Sequence, residues 1–73
     1  MDTRVVEVLC YSGHAADTEP RAVAVDGRRW EVVAVERRGR EPDARFFFVR
    51  ISDGTRYILR QDVATGVWTI KGG

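Results

Sequence analysis

The chain has 73 residues, enough for one domain with a thin core, since a domain this small buries only about 60% of the surface its unfolded chain exposes. Apolar residues make up 44% and charged residues 32%, a globular balance that excludes a disordered chain. A formal net charge of +1 points to no partner, a single cysteine (Cys10) excludes an internal disulfide and a cysteine cage for zinc, and no apolar run reaches the length of a membrane span.

Without such staples the domain must rely on packing or on a partner subunit. The residues Met1-Asp2-Thr3-Arg4 lead straight into a strand pattern and lack the layout of a signal peptide, so a cytoplasmic location is expected. Charge is unevenly spread. Nine arginines face five acids from Arg28 to Arg60, a net of +4, whereas two arginines face five acids from Met1 to Gly27, a net of −3. Such asymmetry suggests a directional surface.

Turn signals recur roughly every eight to twelve residues, and the runs between them are rich in β-branched and aromatic residues. Six strands are predicted: Arg4–Tyr11, Arg21–Val25, Arg28–Arg37, Arg45–Ile51, Thr55–Gln61 and Val67–Lys71. No stretch has a helical period, although the loop Ser12–Pro20 has room for one short turn. The expected fold is all-β, a six-stranded antiparallel meander that forms a strongly bent sheet or a small SH3-like barrel.

In the first strand Val6, Val8 and Cys10 alternate on one face. Cys10 therefore reads as a small core hydrophobe with a buried thiol, rather than as a nucleophile served by His14. His14 and Asp17 stand in the longest loop, where function often resides, but too few companions accompany them for a metal site. Asp17 reads as the cap of a short turn. Asp26-Gly27 suits a two-residue type I′ turn, because both positions need positive φ. It pairs Val25 with Arg28 and Val23 with Trp30, and places Val23, Val25, Trp30, Val32 and Ala34 on one face. Glu31 and Glu36 fall on opposite faces by strand alternation, which argues against a carboxylate pair for acid–base work.

Ser52-Asp53-Gly54 suits a type I turn followed by a left-handed glycine in a bulge. Phe47, Val49, Ile51, Tyr57 and Leu59 then share one face. Phe46, Phe48, Ile58, Arg50, Arg56 and Arg60 share the other. Val63-Ala64-Thr65-Gly66 closes the last hairpin, sets Leu59 opposite Ile70 and Gln61 near Trp68, and adds Thr69 and Lys71 to the arginine face. Two separate turns agree on one apolar face, which fixes the register. Trp30, Val32, Phe47, Val49, Leu59, Trp68 and Ile70 are the predicted core. Gly72-Gly73 reads as a frayed end.

The segments Val8-Leu9-Cys10-Tyr11-Ser12-Gly13-His14, Arg28-Arg29-Trp30-Glu31-Val32 and Tyr57-Ile58-Leu59-Arg60-Gln61-Asp62, with Thr65 and Trp68 after them, carry a resemblance. The chain resembles a family of short bacterial proteins, the DUF6504-like domains. These have a strand with a glycine–arginine turn, a strand ending in arginine and aspartate, and then a tryptophan. The resemblance covers most of the chain through turn motifs and brings no activity with it. Some similar proteins accompany translesion DNA polymerase genes, which implies a DNA-related role.

No catalytic residues, cofactor or metal are implied. The one constellation that points to function is the face bearing Phe46, Phe48, Arg50, Arg56, Arg60 and Lys71. The ordinary reading comes first: another strand covers the rings when the sheet closes, and the arginines form a solvated rim. If the rings are exposed, the face can stack bases and neutralise phosphates, making a non-enzymatic module for single-stranded nucleic acid or a nucleic-acid-processing partner. The alternative is a protein–protein module, a homodimer joined through the same patch. An enzyme using Cys10 and His14 ranks last.

Overall fold

The computed structural model describes residues 4–10 and 19–72. Six strands follow in order: β1 (Arg4–Cys10), β2 (Pro20–Val25), β3 (Arg28–Glu41), β4 (Ala44–Ile51), β5 (Arg56–Asp62) and β6 (Trp68–Gly72). Each pairs antiparallel with the next, and β1 pairs with β6, so the meander closes into a six-stranded barrel. Closure satisfies the backbone groups that an open sheet leaves at its edges. The expected six-stranded, SH3-like small barrel is the observed architecture, in its closed form. No helix among the described residues is long and apolar enough to cross a membrane.

Turn chemistry sets the register. Asp26 and Gly27 take φ of 52° and 78°, and Val25 pairs with Arg28 and Val23 with Trp30, as a type I′ turn requires. In the Ser52–Gly54 loop, the Gly54 N–H donates to the Ile51 carbonyl at 2.9 Å and Gly54 takes a φ of 90°. The Ile51 N–H then donates to the Thr55 carbonyl, and Val49 and Phe47 fall opposite Tyr57 and Leu59. The last hairpin closes with the Gly66 N–H on the Asp62 carbonyl at 2.7 Å, and Leu59 and Gln61 face Ile70 and Trp68.

Carboxylates hold two of these loops. Asp62 Oδ1 accepts from the backbone N–H groups of Ala64 and Thr65, at 2.9 and 3.0 Å. These bonds, that from Thr65 foremost, favour the ionised form and hold the Asp62 carboxyl below its ordinary value. Hydrogen bonds from Thr55 do the same for Asp53.

The inner face carries the core. Val23, Phe47, Val49, Ile51, Leu59, Trp68 and Ile70 are buried together, and the Phe47 and Trp68 rings lie 5.8 Å apart. Two expected members sit farther out. Trp30 and Val32 are half-buried and pack against the cluster, with the Arg28 guanidinium 5.0 Å from the Trp30 ring. Val6, Val8 and Cys10 line the inside as alternation predicts, but Cys10 is half-buried instead of buried.

The largest departure lies in β3, which runs past Arg37 to Glu41 and turns through Pro42-Asp43 into β4. Among the described non-glycine residues only Asp26 has positive φ, so this fourth hairpin uses an ordinary turn with proline first. The pairing of β3 with β4 shifts twice, between Val32 and Ala34 and between Val35 and Arg37. Each shift inserts an extra residue and reverses the alternation beyond it. Ala34, expected inside, therefore pairs with Arg50, while Val35 pairs with Val49 and packs on the core. At the far end Gly72 continues the ladder opposite Tyr57 and is not frayed.

Candidate functional site

The outer face of β3–β6 brings the predicted residues together in cross-strand rows. One row runs Arg37, Phe48, Ile58, Lys71, the next Gly39, Phe46, Arg60, Thr69, and a third Ala34, Arg50, Arg56. Neighbouring strands stand about 4.8 Å apart, so each ring has a cation one or two strands away.

The rings are neither fully exposed nor covered by any described strand. Phe46, Phe48 and Ile58 are half-buried, and no described strand lies over them. Closure of the barrel occurs through β1 and β6 and leaves this face outside, which corrects the expectation that another strand buries it. Local contacts supply the partial cover. Phe46 meets Phe48 edge to face at 6.3 Å, and the Arg37 guanidinium stands 6.0 Å from the Phe48 ring. Phe46 also packs against the bare backbone of Gly39, where an added Cβ would collide with the ring. Gly39 thus provides the seat for the ring, a role legible only once the second bulge of β3 is known.

Carboxylates from β3 and its turn moderate the cations. Arg50 and Arg56 stand directly opposite each other, and Glu36 reaches both, at 3.7 and 3.0 Å. Arg60 lies 3.6 Å from Glu41 and 3.9 Å from Asp43. Lys71 forms no ion pair among the described residues. These pairs are solvent-exposed, worth about 0–1 kcal/mol each, and exchange readily for another anion. Strand alternation places Glu36 on the inside. The register shifts bring it to the arginines outside, so it joins the site unforeseen.

Other candidates do not assemble. His14 and Asp17 lie outside the described residues. Among the described residues no group of three His, Cys, Asp or Glu side chains converges as metal ligands. Cys10 packs beside Val6 and Val8 on the core. Its labelling by a thiol reagent is expected to be slow in the native protein and to accelerate on unfolding. Rapid native labelling would contradict the packing of β1 described above.

At one mouth of the barrel a depression of about 400 Å³ is lined by Arg40, Glu41, Pro42, Arg45, Gln61 and Val63. Arg45 donates to Gln61 Oε1 at 2.6 Å, and its guanidinium lies 5.5 Å from the Phe47 ring. The chain matches no family model, no curated protein and no solved structure, so geometry alone carries the functional reading.

Proposed function

We propose that this barrel is a non-enzymatic binding module for single-stranded nucleic acid, with the outer face of β3–β6 as its contact surface. One observation supports this above the others: the edge-to-face Phe46–Phe48 pair lies on the outer surface among Arg37, Arg50, Arg56, Arg60 and Lys71. Half-exposed rings offer stacking surface, worth about 1–3 kcal/mol per base and tolerant of sequence. The cations neutralise phosphates and release counterions. A phosphate backbone replaces Glu36, Glu41 and Asp43 as the partner of the arginines, at little cost because the exposed pairs are weak.

The reading predicts a particular salt response. If about four cations meet phosphates, affinity for a single strand falls about 50-fold between about 50 and about 200 mM salt. Fluorescence anisotropy with a labelled oligonucleotide measures this directly. A second reading draws on the apolar part of the same patch, Phe46, Phe48 and Ile58, as the contact between two copies of the chain. Apolar association does not weaken with salt in this way. A stable dimer in sedimentation, split by Phe48→Glu, together with no oligonucleotide binding at low salt, would assign the face to self-association.

A further inference from the structure

The two ladders of β4 set two arginine pairs directly opposite each other, Arg50 against Arg56 across β4–β5 and Arg40 against Arg45 across β3–β4. Like charges in such positions, with Cβ atoms about 5 Å apart, destabilise a sheet. The chain answers the first pair with Glu36, whose two carboxylate oxygens reach one arginine each. It provides no such answer to the second. Neither Arg40 nor Arg45 forms an ion pair among the described residues, and the nearby Glu41 carboxylate reaches Arg60 instead. Both arginines line the depression at the barrel mouth. Arg45 is held there by Gln61 and by the Phe47 ring, so its planar fork is already ordered.

We propose that Arg40 and Arg45 form an anion site at the mouth of the barrel that takes a phosphate group. The geometry parallels the Glu36 clamp, with an external oxyanion in place of the carboxylate. Guanidinium groups bind such oxyanions through paired, charge-assisted hydrogen bonds. Gln61 contributes by fixing the Arg45 side chain. The depression, at about 400 Å³, is large enough to admit the group that carries the phosphate. The site lies apart from the Phe46–Phe48 surface and does not depend on the reading of that surface.

The test is a titration of the isotopically labelled full chain with inorganic phosphate, against chloride at equal ionic strength, followed by NMR of the arginine Nε–H and glutamine side-chain signals. Saturable shifts at Arg45 and Gln61 are expected with phosphate alone. Arg40→Gln, at an exposed position, should weaken the effect by about 10-fold or more, as expected for loss of charge-assisted hydrogen bonds. Arg45→Lys, which keeps the charge and loses the fork, should weaken it as well. The double variant Arg56→Glu, Lys71→Glu, whose side chains stand on the outer face and do not line the depression, should leave these shifts intact, separating the site from that face. Tighter binding of a 5′-phosphorylated oligonucleotide than of its unphosphorylated form, erased by Arg40→Gln, would assign the site to strand ends. Phosphate binding without that difference would assign it to free phosphate. Shifts no larger than those with chloride, or shifts that survive Arg40→Gln, would overturn the proposal.

Discussion

Trp68→Ala is expected to destabilise the domain by about 3–5 kcal/mol, the range for deleting a buried large aromatic side chain. The indole is only 7% exposed and lies against the Phe47 ring, at 5.8 Å between centroids. It also begins β6, where it pairs with Gln61 on one side and Val6 on the other. Its loss therefore opens a cavity in the core and weakens the strand pairs that close the barrel. Small domains have total stabilities of about 5–15 kcal/mol, toward the low end for a core this thin, so the variant is expected to be largely unfolded on modest heating. Urea unfolding monitored by circular dichroism gives the number. Phe48→Ala, on the outer face, serves as the control and should cost much less. Equal midpoints for Trp68→Ala and wild type would falsify the assignment of this residue to the core.

The second large effect concerns binding. Reversing Arg56 and Arg60 to glutamate should reduce oligonucleotide affinity by at least about 100-fold. The substitution removes two of the proposed phosphate contacts and places two anions beside Glu36, Glu41 and Asp43. Both side chains are exposed, at 63% and 45%, so the barrel should still fold. The salt dependence of any remaining affinity should flatten, because fewer counterions are released. Anisotropy across several salt concentrations, with circular dichroism to confirm the fold, measures both effects. Unchanged affinity in a folded double variant would remove the outer face from the proposed function.

Much of the architecture was legible in the residues. Asp26-Gly27, Ser52-Asp53-Gly54 and the Val63–Gly66 segment each dictate a turn, and each turn fixes which residues stand opposite one another. From these three registers the inner face of β4–β6 and the outer row of arginines and phenylalanines follow by alternation alone. What alternation cannot show is an interruption of itself. The two register shifts of β3 follow from pairing with β4 over a long ladder, and nothing in Val32–Arg37 announces them. They moved Ala34 out, brought Val35 in and delivered Glu36 to Arg50 and Arg56. The Pro42-Asp43 turn did carry a signal in its proline, but the charged run Arg38–Glu41 before it reads as loop. That run pairs with β4 from Phe47 to Ala44 all the same, and there it places Arg40 opposite Arg45.

The pairing of β1 bears on how the chain folds. Its first half, Arg4–Val6, pairs with β6, and its second half, Glu7–Cys10, pairs with β2. From β2 to β6 every pairing is a local hairpin joined by a short turn. Among the described residues the β1–β6 seam unites the first and last strands through three residue pairs. Closing a long loop costs entropy before the contacts it permits repay the cost. In this barrel that cost falls on the seam between the first and last strands, so opening is expected to begin where Val6 meets Trp68, with the β3–β4 and β4–β5 hairpins still formed. Sub-global opening of this kind exchanges the amides of β1 and β6 ahead of those of β4. The outer face proposed for binding, built mainly on the central hairpins, is then expected to rest on the part of the chain that unfolds last.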